Sequence, residues 1–136
     1  MTEKFTLDLV TPEKLAFSKD IEMVNIPGNE GVFGVLKGHA PVISGIQAGA
    51  IEVYNKSSNQ KPSERIFVAG GFAEVTEDRC TILANEAINL SYIKKSEAQE
   101  RLEKSEKDLK KAKNDIERDI ASKKVAESTV LVELCA

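Results

Sequence analysis

The sequence has no tryptophan, a single histidine, two cysteines and, from Phe72 to its end, neither glycine nor proline. Each shortage removes a class of function. One imidazole, His39 between Gly38 and Ala40, cannot supply a His-based metal site, nor a nucleophile's base held by a positioned neighbour. Cys80 in an apolar run and Cys135 next to the last residue have no metal-ligand spacing and no secretory context, so they read as two inert thiols and the chain as metal-free. A net charge of −3 over 136 residues leaves no basic field for DNA or RNA. No segment approaches the roughly 20 apolar residues of a spanning helix, and the start Met-Thr-Glu-Lys-Phe-Thr-Leu-Asp lacks a signal-peptide core. The expectation is one domain with an appendage, cytosolic unless a partner anchors it.

What is present is concentrated. Residues 27–41, Pro-Gly-Asn-Glu-Gly-Val-Phe-Gly-Val-Leu-Lys-Gly-His-Ala-Pro, hold half of the glycines, half of the prolines and the only histidine. Glycine at that density means a backbone on an unusual path, and a bland loop would not need Val32, Phe33, Val35 and Leu36. Those side chains are either buried beneath the turn or offered to a partner. Glycines at spacing three (Gly28, Gly31, Gly34) lack the Gly-x-Gly-x-x-Gly pattern, the Gly-Lys-Ser/Thr end and a following helix, so no phosphate cradle is built. Glu30 beside Gly31 reads as a turn or interface residue rather than a general base.

Strand signals fill the first two-thirds. Phe5, Leu7 and Leu9 alternate with polar residues, while Ile51-Glu52-Val53-Tyr54, Arg65-Ile66-Phe67-Val68, Phe72-Ala73-Glu74-Val75 and Cys80-Thr81-Ile82-Leu83 are short β-rich runs bounded by turn residues. Residues 56–62 suit a hairpin loop and Thr76-Glu77-Asp78-Arg79 a turn. Many short strands at close spacing predict a sandwich or barrel over 1–86.

After about Asn89 the alphabet becomes Lys, Glu, Ala, Leu, Ser and Asp, and a helical tail over 89–136 follows. Leu102, Leu109 and Ile116 with Ala98, Ala112 and Ala126 form a thin apolar seam, interrupted at Ser105, Asp119 and Lys123. The seam predicts a helix folded back on itself with a hinge at 110–114, where Asn114 would cap a second helix beginning at Asp115; one long helix is the alternative. Lys104, Lys107, Lys110, Lys111 and Lys113 make the middle of the tail locally basic. A solvated face is the plain reading, and an acidic protein partner the sharper one. The fold class is α+β: an antiparallel β-sandwich or barrel, then a helical hairpin.

The order Pro27-Gly28-x-x-Gly31-x-x-Gly34-x-x-x-Gly38-His39-Ala40-Pro41, then Gly70-Gly71-Phe72-Ala73-Glu74-Val75, then a helical tail, resembles the epsilon subunit of F-type rotary ATP synthases, the counterpart of mitochondrial delta. The resemblance runs the length of the chain. It implies a non-catalytic central-stalk subunit that couples rotation of the membrane c-subunit ring to ATP synthesis, with gamma, the c ring and the alpha/beta catalytic head as partners, no cofactor, and peripheral attachment at the cytoplasmic face of a bacterial inner membrane. Asn29, Glu30, Gly31, Val32 and Phe33 then match the c-ring contact, and His39, Ala40, Pro41, Val42 and Ser44 the gamma contact, with Val35 and Leu36 returning to the core.

In the same family the tail restrains ATP hydrolysis through basic residues, which would be Lys104, Lys107, Lys110, Lys111, Lys113 and Arg118 here. Some members bind ATP through Leu-Asp-x-x-Arg-Ala at the start of the tail. The matching residues read Leu90-Ser91-Tyr92-Ile93-Lys94-Lys95. Ser91 replaces the carboxylate and Lys94 the planar donor fork, so weak or no ATP binding is expected. A stand-alone β-sandwich binding module with a helical tail is the competing function.

Overall fold

The computed structural model describes residues 3–135 and divides into two compact units, 1–91 and 92–136. The first unit holds eight strands: β1 (Phe5–Val10), β2 (Leu15–Ile21), β3 (Met23–Gly28), β4 (Gly31–Val35), β5 (Val42–Tyr54), β6 (Glu64–Val75), β7 (Arg79–Ala84) and β8 (Ala87–Asn89). They form one sheet in the order β2-β1-β7-β6-β5-β3-β4, with β8 on β6. All pairs are antiparallel except β1 with β7. Ile21 and Val35 lie on strands at opposite edges of that order, yet both belong to one buried cluster with Leu7, Leu9, Val53, Val68 and Ile82. Only a sheet folded over on itself brings both edges to one core, which makes this a β-sandwich.

Alternation along β1 buries Phe5, Leu7 and Leu9 and leaves Thr6, Asp8 and Val10 half-buried, as the sequence predicts. Asp8 on the opposite face accepts from Ser18 Oγ on β2 at 2.6 Å and pairs with Arg79 on β7. One carboxylate thus ties three neighbouring strands. Residues 65–68 and 72–75, read as separate runs in the sequence, belong to the single strand β6. It passes through Gly70 and Gly71, whose φ angles are 108° and 145°. A Cβ at Gly71 would sit on the carbonyl oxygen of Leu83, so only glycine lets β7 pack against this kink.

Four strands escaped the sequence reading. β2 is almost wholly exposed, and an edge strand without a buried face shows no alternation. β3 and β4 lie within and before the glycine-rich segment, whose prolines and glycines imitate a loop. Pro27, which has no N–H to donate, coincides with the break in register between β3 and β5, and its ring fills the space left by Gly49. β8 carries the sandwich on to Asn89, past the boundary at 86 expected from sequence.

The second unit is two helices, α1 (Lys95–Lys110) and α2 (Asp115–Leu134), packed on each other. Asn114 caps α2, its side-chain oxygen accepting from the amide of Glu117 at 2.8 Å. The seam runs differently from its sequence forecast. Ala98 and Ser105 of α1 and Ala121, Ser128 and Leu131 of α2 are buried, whereas Ile116 is 74 % and Ala126 also exposed. Ser105 does not interrupt the line but continues it, its hydroxyl satisfied by the Leu102 carbonyl at 2.8 Å. A heptad count carried across the 111–114 turn loses phase there, because the turn resets the rotation of the second helix. None of the described helices is long and apolar enough to cross a membrane.

Candidate functional site

The glycine-rich segment becomes a hairpin and a loop. β3 and β4 pair from Val24↔Val35 to Gly28↔Gly31, leaving Asn29 and Glu30 as the turn. Gly31 adopts φ 130°, and a Cβ at Gly28 would meet the Gly31 carbonyl at 2.8 Å and the Phe33 ring at 2.9 Å. The turn is therefore glycine-dependent at both ends. It is also fastened to β5: the Asn29 amide donates to the Gly45 carbonyl at 3.0 Å, and Gln47 Nε2 donates to the Gly28 carbonyl at 3.3 Å.

The apolar residues of the segment divide by face. Val32 is 69 % exposed, Val35 is buried, and Phe33 lies half-buried against the core cluster. Leu36 does not return to the core. It is 44 % exposed because β4 ends at Val35 and the chain turns away. The loop that follows is held by the Gly38 amide on the Glu77 carbonyl at 2.7 Å, by the His39 amide on the Leu36 carbonyl at 3.1 Å, and by Lys37 on Glu3 at 3.4 Å. His39 Nδ1 lies 2.7 Å from the Ala40 carbonyl, which can only accept, so Nδ1 is the donor in this contact. The ring is thereby held against the adjacent peptide, an orienting role rather than a catalytic one.

The structure brings the two sequence-predicted sets together around one groove. Glu30, Gly31, Val32 and Phe33 line it from the turn, and His39, Val42 and Ser44 from the loop and the start of β5, enclosing about 360 Å³. Asn29 stands at its end with its amide on Gly45, while Ala40 and Pro41 are exposed on the approach to β5. Chemically this is a contact surface with one carboxylate, one imidazole and several apolar groups. Among the described residues no group of three His, Cys, Asp or Glu side chains could hold a metal ion.

Sequence reading missed exposed apolar residues on the outer face of the sheet. Ile43, between two residues assigned to a contact, is 75 % exposed. Leu15, Val10, Leu83 and Phe72 are successive cross-strand partners on β2, β1, β7 and β6, and Leu15, Leu83 and Phe72 are each more than half exposed. The signal was available, since with Ala73 and Val75 buried, period-two alternation turns Phe72 outward.

In the helical unit Lys104, Lys107, Lys110, Lys111, Lys113 and Arg118 are all exposed. Arg118 is tied to Asp115 at 3.1 Å. Lys107 and Lys110 occupy the last turn of α1 and Lys111 its cap, where positive charge offsets the negative end of the helix dipole. The basic cluster thus has a local structural use. Ser91 and Lys94 are exposed, and their amides are engaged by Asn89 Oδ1 at 2.9 Å and Glu97 Oε1 at 3.2 Å. Burial pushes the Cys80 thiol up to about 12, so it stays protonated and unreactive in the folded chain.

Comparison with known proteins gives a consistent set. Residues 4–90 match the family model of the ATP synthase delta/epsilon chain β-sandwich domain. An ATP synthase epsilon chain of Rhodospirillum rubrum is 45 % identical over 130 residues, covering 94 % of this chain and 95 % of that one. One from Maricaulis maris is 40 % identical over 136 residues, covering 100 % and 99 %. Among solved structures, a chain of the Euglena gracilis mitochondrial ATP synthase OSCP/F1/c-ring assembly shares the fold at TM-score 0.79 and 20 % identity, covering 100 % of this chain and 84 % of that one. A chain of the Tetrahymena thermophila mitochondrial ATP synthase central stalk/c-ring shares it at TM-score 0.65 and 14 % identity, covering 99 % and 98 %.

Proposed function

The chain belongs to the ATP synthase delta/epsilon family, as an epsilon-type, non-catalytic subunit of that enzyme, and from this we propose that it works as a central-stalk rotor element between the c ring and gamma. The observation that carries the reading is the glycine hairpin fastened to β5. Its turn is pinned to β5 by the Asn29 to Gly45 hydrogen bond and presents Val32 at 69 % exposure. Torque passes through a contact only if the contact does not yield, and a turn fastened to a long strand of the sandwich meets that need. In this reading Asn29, Glu30, Gly31, Val32 and Phe33 rest on the c ring, with Phe33 also bracing the turn against the core. His39, Ala40, Pro41, Val42 and Ser44 face gamma. The subunit then sits as a peripheral part of the complex on the cytoplasmic side of a bacterial inner membrane.

The test uses Val32, because its side chain is mostly exposed and lies outside the core cluster. In assembled enzyme, Val32→Asp leaves the sandwich folded and lowers proton pumping per ATP hydrolysed. Pumping at the unchanged ratio would remove the turn from the c-ring contact.

We also infer that the helical pair restrains ATP hydrolysis through Lys104, Lys107, Lys110, Lys111, Lys113 and Arg118, supported by their exposure and by the shallow seam between α1 and α2, which suits a reversible arrangement. A chain ending after Ser91 raises the ATPase rate of the assembled enzyme; an unaltered rate would end the inhibitory reading. Ser91 and Lys94 lack the carboxylate and planar fork of the nucleotide pattern, and the isolated chain binds ATP weakly or not at all.

A further inference from the structure

β5 is paired with β6 from Val42↔Val75 to Val53↔Glu64. On its other side the pairing with β3 stops at Gly28↔Ile46. Among the described residues, 42–44 therefore have a paired strand on one side only, while Gly45 is met on the other side by the Asn29 amide. The direction of their free groups follows from one bond. The Gly45 carbonyl points toward the β3 side, where it accepts from Asn29, and alternation along a strand turns the N–H and C=O of Ile43, two residues earlier, to the same side. Among the described residues no backbone group on the β3 side meets the N–H or C=O of Ile43.

Sheets ordinarily blunt such edges with charge, brevity, proline or bulges. The two outer edges of this sheet are treated that way: β2 carries exposed Lys19 and Asp20, and β4 is only five residues long. The 42–44 edge carries instead Ile43 at 75 % exposure and Val42 at 38 %. The groove of about 360 Å³ runs beside it, with Val32, Phe33 and Glu30 on the far bank. Glu30 and Glu74, the latter directly across from Ile43, have no ionic partner among the described residues.

We propose that this edge accepts an extended segment of a partner chain by strand addition, the segment carrying apolar side chains and at least one Lys or Arg. The N–H and C=O of Ile43 would form one pair of main-chain hydrogen bonds with it. The partner residue opposite Ile43 would pack on its side chain near Glu74, and the flanking residues would enter the groove toward Val32, Phe33 and Glu30. Asn29 already occupies the Gly45 carbonyl and Pro41 closes the other end, so the added strand is short. Backbone bonds fix position along the strand direction better than side-chain contact does. The inference rests on the proposed function, in which that segment belongs to gamma.

The experiment uses the full chain with the gamma subunit of its own complex. Amide exchange at Ile43, fast in the free chain, becomes strongly protected on binding. Ile43→Pro, which removes the donor and keeps an extended φ, weakens binding about tenfold or more, while Ile43→Ala, which keeps the backbone, weakens it only severalfold. Tight binding to gamma with the Ile43 amide still exchanging at its free rate would overturn strand addition and leave the rotor reading intact. Failure to bind gamma at all would overturn both. Should the chain alone form a dimer in the ultracentrifuge that Ile43→Pro dissolves, the occupant is a second copy, and the partner named here is wrong.

Discussion

Seven strands of the first unit send side chains into one cluster that includes Leu7, Leu9, Ile21, Ile26, Ile51 and Ile82, whereas the helical pair buries Ala98, Ser105, Ala121, Ser128 and a single large residue, Leu131. The sandwich is held by volume and the helices by closeness. Large side chains in a sealed core make an all-or-none unit, because removing or displacing one disturbs many neighbours. Small residues along a helix pair give close approach with little buried area, so each contact contributes less. A stiff part and a part able to change its arrangement within one chain is what the proposed division between torque transfer and regulation needs.

The sharpest attempt to break this contrast is Gly71→Ala. A Cβ there collides with the Leu83 carbonyl at a φ of 145°, so β7 must shift, and the cost is about 3 kcal/mol or more, read as a lower urea midpoint for the sandwich. The helical unit should keep its hydrogen-exchange protection. Loss of both together would show that the two are one cooperative body. Ser105→Leu asks the reverse question. It forces bulk into the seam at a cost of about 1 to 3 kcal/mol, seen as faster amide exchange in α1 and α2 with an unchanged sandwich midpoint. The smallest effect comes from Asn114→Ala, which removes the acceptor for the Glu117 amide. It costs the helices about 1 kcal/mol, measured as a fall in helical ellipticity on warming.

Much of the fold was legible because its signals are local. Alternation in β1, the β-rich run at 80–83, the change of alphabet near Asn89 and the capping chemistry of Asn114 each act within a few residues, whereas the glycine pair before Phe72 split one strand into two readings. β2 was not legible, since an exposed edge strand has no buried face to impose a period. The candidate site was legible as a set of residues but not as a surface. That residues 30–33 and 39–44 share one groove depends on the pairing of β3 with β5, a contact distant in sequence.

The sequence by itself determined where the chain must bend, which half is sheet and which is helix, and the family it belongs to, because glycine conformations, side-chain period and motif order are properties of short stretches. Only the tertiary structure decided which apolar residues of the glycine-rich segment face outward. Val35 is buried while Val32 and Leu36 are exposed, because the fate of each depends on where β4 pairs and ends. It alone also decided that β5 outruns β3 and leaves Ile43 at an open edge, since a strand's free side is set by its neighbour's length and not by its own residues.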